Sequence, residues 1–101
     1  RYSSEVVLHA GLAEALTEAG IDHQREVQVA GGRIDFLIGS LGIEVKIKGT
    51  VEALGRQLRR YAADPRIDAL LVVTSRPTHR QVRAIPVGVP VRVVTIGALG
   101  L

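Results

Sequence analysis

Asp35, Glu44 and Lys46 are the residues whose types and spacing best fit a chemical role. They stand in two runs, Arg33-Ile34-Asp35-Phe36-Leu37-Ile38 and Ile43-Glu44-Val45-Lys46-Ile47-Lys48, in which apolar and polar residues alternate. Alternation of this kind predicts strands, with successive side chains on opposite faces. Ile43, Val45 and Ile47 then share one face, and Glu44, Lys46 and Lys48 the other. In the first run Ile34, Phe36 and Ile38 share a face, with Asp35 opposite. If the apolar faces pair, Asp35, Glu44 and Lys46 converge.

Two carboxylates held close repel each other unless a cation sits between them. Mg²⁺ prefers oxygen ligands and keeps several of its waters. Such an ion turns bound water into a nucleophile and stabilises charge on a phosphate. A neighbouring lysine helps to deprotonate that water or stabilises the negative charge that develops. Together these parts suit hydrolysis of a phosphodiester. Charge pattern alone also fits a second reading, an ion pair on a solvent-facing sheet.

The elements around the trio follow from periodicity. Residues 3–19 read as a helix, with Val6, Leu8, Leu12, Ala15, Leu16 and Ala19 near helical spacing, Ser3 or Ser4 as cap and Gly20 as its end. A strand over 24–30 puts Arg25, Val27 and Val29 on one face. Gly31-Gly32 marks a turn, and Gly39-Ser40-Leu41-Gly42 connects the two chemical strands. Thr50 caps a helix over 51–63 whose inner stripe is Val51, Leu54, Leu58, Tyr61 and Ala62. Asp64-Pro65 stops it. The apolar run 68–74 predicts a strand buried on both faces. A short helix over 78–84 and a strand over 91–96 complete the chain. The fold class is α/β: helix, three close strands, helix, strand, short helix, strand, in a mixed sheet flanked by helices.

The motif Ile34-Asp35, a short gap, then Glu44-Val45-Lys46, in this order of elements, resembles the PD-(D/E)xK nuclease superfamily over roughly residues 3–75. Gln57 and Tyr61, four apart on one helix face, resemble the RecB-like and lambda-exonuclease-like branches. Holliday-junction-resolvase-like proteins share the same restriction-endonuclease-like core, αβββαβ. The resemblance implies a deoxyribonuclease using Mg²⁺, with Mn²⁺ able to substitute. It implies that Asp35, Glu44 and the Val45 carbonyl hold the metal, that Lys46 assists the water and that Gln57 positions it. It assigns Tyr61 to substrate phosphate or to helix packing. The family often adds a carboxylate from the first helix, where Glu5 is favoured over Glu14. His9, one turn from Glu5, is read as a buried structural histidine or a substrate contact. Arg33 stands where many relatives have proline.

The chain has 101 residues, enough for one domain. Its apolar residues are almost all aliphatic, and only Tyr2, Phe36 and Tyr61 are aromatic, which excludes base stacking along rows of rings. There is no cysteine, so disulfides and thiolate zinc sites are excluded. A reducing cytoplasm fits this, and no run approaches the ~20 apolar residues of a membrane span. With no methionine in the sequence, Arg1 is not expected to be the natural start. The net charge is only +3, but the basic residues cluster: Arg56, Arg59 and Arg60 in one segment, Arg76, His79, Arg80 and Arg83 in another. DNA contacts are expected from Lys48, Arg56, Arg60 and Arg80, to phosphates rather than to bases. No organic cofactor is expected. The alternative function is a non-catalytic nucleic-acid-binding or oligomerisation module on a nuclease-like fold. The apolar tail 91–101 would serve a homodimer.

Overall fold

The computed structural model describes residues 4–97. Its order is α1 (Glu5–Glu18), β1 (Gln24–Val29), β2 (Gly32–Ile38), β3 (Leu41–Lys46), α2 (Val51–Ala62), β4 (Ala69–Thr74), a 3₁₀ helix (Pro77–Ala84) and β5 (Val91–Thr95). The five strands form one mixed sheet in sequence order. β1, β2 and β3 pair antiparallel, whereas β4 lies parallel to β3 and β5 parallel to β4.

Each face of the sheet has its own core. On one side Leu8, Ala13 and Leu16 of α1 pack on Phe36, Ile43, Val45 and Val73. On the other, Leu54, Leu58 and Tyr61 of α2 and Val82 of the 3₁₀ helix cover Ile34, Leu37, Leu70 and Val72. Both helix starts are capped as expected, by Ser4 on the Val7 N–H and Thr50 on the Ala53 N–H. Val6, Ala15 and Ala19, expected on the inner stripe of α1, are exposed. The buried spacing is the tighter set Leu8, Ala13 and Leu16, with Leu12 partly buried against it.

Two boundaries of β3 differ from expectation. It begins at Leu41, because Gly39-Ser40 alone makes the turn and Ile38 pairs with Leu41. Gly39 has φ +58°, a conformation glycine adopts without cost. The strand ends at Lys46, so Ile47 and Lys48 belong to the bend that leads into α2.

The larger difference is a change of face in β1 and β2. Phe36 and Ile38 pack on the α1 side, but Ile34 packs on the α2 side. Opposite them, Arg25 lies over the Phe36 ring, while Val27 and Val29 join the α2 side. Simple alternation would have kept each set on one face. The reversal falls between the pairs Arg25↔Phe36 and Val27↔Ile34. There Glu26 adopts φ +53°, rare for a residue with a long side chain. Asp35 stands directly across from it. The kink at Glu26 therefore sits at the level of the strongest chemical candidate, as backbone strain often does at functional sites.

Candidate functional site

Phe36↔Ile43 is the last pair of the β2–β3 ladder before the strands part. Beyond it the β3 edge has backbone groups that β2 no longer meets. Two carboxylates serve them. Asp35 Oδ2 accepts from the Val45 N–H at 2.7 Å, and Glu5 Oε2 accepts from the Ile47 N–H at 3.0 Å. Val45 and Ile47 are two apart, so their N–H groups leave the same edge. Glu5 of α1 is thus brought beside Asp35, and both line the same cleft. Glu14 is exposed and about two and a half helical turns further along, outside the site.

Glu44 points to the other face, toward α2. Its Oε2 accepts from Gln57 Nε2 at 3.0 Å, and Lys46 Nζ stands 4.0 Å from the same oxygen. Gln57 Nε2 also donates to the Tyr61 hydroxyl at 2.8 Å, and that hydroxyl donates to the Arg33 carbonyl at 3.0 Å. Tyr61 is buried. Its hydroxyl is committed to holding Gln57, and through it Glu44, so its contacts in this structure are those of helix packing. Burial and the Glu44 charge push its pKa up to about 12.

Glu44 is 5% exposed, and its Oε1 is buried with no partner. Burial first, then the Asp35 carboxylate, pushes its pKa up to about 8; Lys46 opposes this. Asp35 is also raised, chiefly by burial, against the Val45 N–H and His9, which lower it. The missing partner and the raised proton affinity share one cause: burial takes water from the carboxylates without supplying enough donors in its place.

Two clefts lie close by, one reached by Asp35 and the other by Lys46 and Gln57, the neighbours of Glu44. The first, about 260 Å³, is lined by Glu5, Val6, His9, Arg25, Glu26 and Asp35 among others and is mainly acidic. The second, about 230 Å³, is lined by Lys46, Lys48, Gln57, Arg60 and the start of α2 at Thr50, and no carboxylate lines it. Lys48 and Arg60, two of the side chains from which phosphate contacts were expected, both line this cleft, Lys48 from the bend and not from the strand. Arg56 is exposed and does not line the cleft. Arg80 donates to Thr95 Oγ1 at 3.0 Å. Thr95 is level with Thr74 and Lys46 across β5, β4 and β3, so this contact sits two strand spacings, roughly 10 Å, from Lys46.

His79 leaves the expected basic cluster. It is fully buried, with Nε2 on the Gly49 carbonyl at 2.9 Å and Nδ1 on Thr74 Oγ1 at 2.7 Å. A carbonyl only accepts, so Nε2 carries the hydrogen and Nδ1 accepts from the threonine hydroxyl. This fastens the bend carrying Lys48 to the end of β4. Arg59 likewise turns away, donating to the Pro86 carbonyl. Sequence reasoning missed the clamp of Asp64 and Arg66. Asp64 accepts from the Ala30 N–H and from Arg66, whose guanidinium also donates to the Gln28 carbonyl. Its hydrogen bonds hold the Asp64 carboxyl well below the usual range. Only the motif Asp-Pro-Arg at a helix end hinted at it.

Among the described residues, no three His, Asp or Glu side chains are grouped so that they could hold a metal ion. The donor set here is smaller and open: two carboxylates, one with an orphaned oxygen, beside the backbone of Val45. That suits Mg²⁺, which uses one or two carboxylates and keeps its waters. In comparisons with known proteins, no family model, curated protein or solved structure matches this chain.

Proposed function

We propose that this chain is a metal-dependent nuclease of the PD-(D/E)xK type that hydrolyses DNA phosphodiester bonds. The observation that carries the reading is the orphaned Oε1 of Glu44, buried close enough to Asp35 for that carboxylate to raise its proton affinity, with Asp35 lining the acidic cleft and Lys46 and Gln57, the neighbours of Glu44, lining the basic one. Asp35, Glu44 and the Val45 carbonyl would hold Mg²⁺ or Mn²⁺, with Glu5 adding negative charge. When bound, the ion supplies an activated water and a Lewis acid for the phosphate. Lys46 stabilises negative charge developing on the phosphate. Gln57 orients Glu44, and Tyr61 orients Gln57. Lys48 and Arg60 hold the phosphate backbone, aided by the positive end of α2.

The test is cleavage of plasmid and single-stranded DNA with Mg²⁺, Mn²⁺ or EDTA. Cleavage by the wild type, lost in EDTA and lost in folded Asp35→Ala and Lys46→Ala proteins, is expected. Undiminished cleavage by both variants would overturn the assignment. A non-catalytic DNA-binding module is the second reading. It is favoured by one observation: Asp35 and Glu5 already satisfy backbone groups of β3 and of the bend that follows it. Calorimetric titration with Mn²⁺ separates the two, because only the nuclease reading requires metal binding.

A further inference from the structure

His9 projects from α1 into the acidic cleft, stacked on Phe36 with ring centroids 4.4 Å apart. Its Nδ1 lies 2.9 Å from an Arg25 guanidinium nitrogen. Its Nε2 is buried without a hydrogen-bond partner and stands 3.6 Å from Asp35 Oδ1. The first contact decides the second. A guanidinium has donors and no acceptor, so Nδ1 must accept. The ring hydrogen of neutral His9 is then on Nε2, the nitrogen facing Asp35.

We infer that Arg25 and His9 form a positioning pair for Asp35, with Arg25 fixing the His9 tautomer so that an Nε2–H donor faces the carboxylate. In this arrangement His9 is a donor to a metal-binding carboxylate and not itself a metal ligand, since Nε2 has no free lone pair. The gap of 3.6 Å exceeds a hydrogen bond. It closes by a small rotation of Asp35, in the way that catalytic contacts tighten when a site is loaded. The fold is built for the pair. Arg25 reaches the α1 side only because β1 reverses its faces at Glu26, and the Phe36 ring supports both the imidazole and the guanidinium.

The inference rests on the nuclease reading for its activity arm and on the tautomer by itself. In the metal-free wild type, nitrogen NMR of the imidazoles should show His9 as the Nε2–H form, its signals assigned by their loss in His9→Gln. Arg25→Met should release this preference. His9→Leu should lower kcat by roughly tenfold to 100-fold, with the KM for DNA and the Kd for Mn²⁺ changed less than about threefold. Glutamine places an N–H near the Nε2 position, so His9→Gln should restore most of kcat. An Nδ1–H tautomer in the wild type overturns the inference and leaves the proposed function standing. So does loss of Mn²⁺ binding in both His9 variants, which would make His9 a ligand, or an unchanged kcat in His9→Leu. A wild type that neither binds Mn²⁺ nor cleaves DNA overturns the proposed function, and this role with it.

Discussion

Asp35 accepts a hydrogen bond from the backbone of Val45 at the point where their two strands stop pairing. One carboxylate oxygen thereby replaces a missing ladder contact, and the other faces His9 and the acidic cleft. Stability and chemistry divide along the same line. Asp35→Ala removes both functions: it should abolish Mn²⁺ binding and cost about 1–2 kcal/mol, because the Val45 N–H loses its acceptor. Asp35→Asn keeps an acceptor for that N–H, so it should retain most of the stability while losing the metal. Thermal denaturation paired with Mn²⁺ calorimetry checks both statements.

Glu44 gives a prediction about pH. Its folded pKa of about 8 lies above the ordinary 4.5, so folding takes up a proton between those values. Stability from this group is fully present below pH 4.5 and is lost as pH rises through about 8. Glu44→Gln mimics the protonated form. Without metal it should match the wild type at low pH and exceed it above pH 8, by up to about 5 kcal/mol. Metal competes with the same proton. Wild-type affinity for Mg²⁺ should therefore rise by up to about tenfold per pH unit until about pH 8. Denaturant titrations at several pH values measure the first effect, and calorimetry the second. A stability difference independent of pH would show that Glu44 is ionised in the folded protein without penalty.

These two carboxylates were legible in the sequence for different reasons. Glu44 and Lys46 sit in a strand whose pleat stays regular, so alternation placed both on the α2 side with Ile43 and Val45 turned away. Asp35 was found by its type and spacing, but its geometry was not legible. Alternation assumes an uninterrupted pleat, and the kink at Glu26 sets Ile34 and Phe36 on opposite faces. Nothing in the identity of glutamate announces a positive φ. His79 was misplaced for another reason. Its neighbours Arg76, Arg80 and Arg83 are basic, yet its own environment is made by Thr74 and by Gly49, thirty positions away. Contacts of that range set the burial of a single polar side chain, and periodicity does not report them. The order of the elements survived all this because each helix and strand carries its own local pattern.

Tyr61 ties α2 to β2 through a hydroxyl that both donates and accepts. Tyr61→Phe keeps the ring and removes that group. The Arg33 carbonyl and Gln57 Nε2 each lose a partner, at a cost of about 1–3 kcal/mol. Gln57 then holds Glu44 less firmly, so kcat should fall while DNA affinity stays unchanged. A loss of DNA affinity with kcat intact would instead make the tyrosine a phosphate contact.

The basic cleft predicts which cations touch the DNA backbone. Lys48 and Arg60 line it beside Lys46, whereas Arg56 points to solvent outside it and Arg59 is spent on the Pro86 carbonyl. Each phosphate contact releases condensed counterions and adds about 0.9 to the slope of log affinity against log salt for duplex DNA. Lys48→Ala and Arg60→Ala should each reduce that slope by about one. Arg56→Ala should leave it unchanged. Arg80, held at the end of β5 roughly 10 Å along the same row of strand ends, should reduce it only on DNA long enough to extend past Lys46. Fluorescence anisotropy with short and long duplexes, read in EDTA so that cleavage does not intervene, separates these cases. An equal drop for Arg56 and Lys48 would mean that the protein attracts DNA by its overall charge and that the cleft does not hold it.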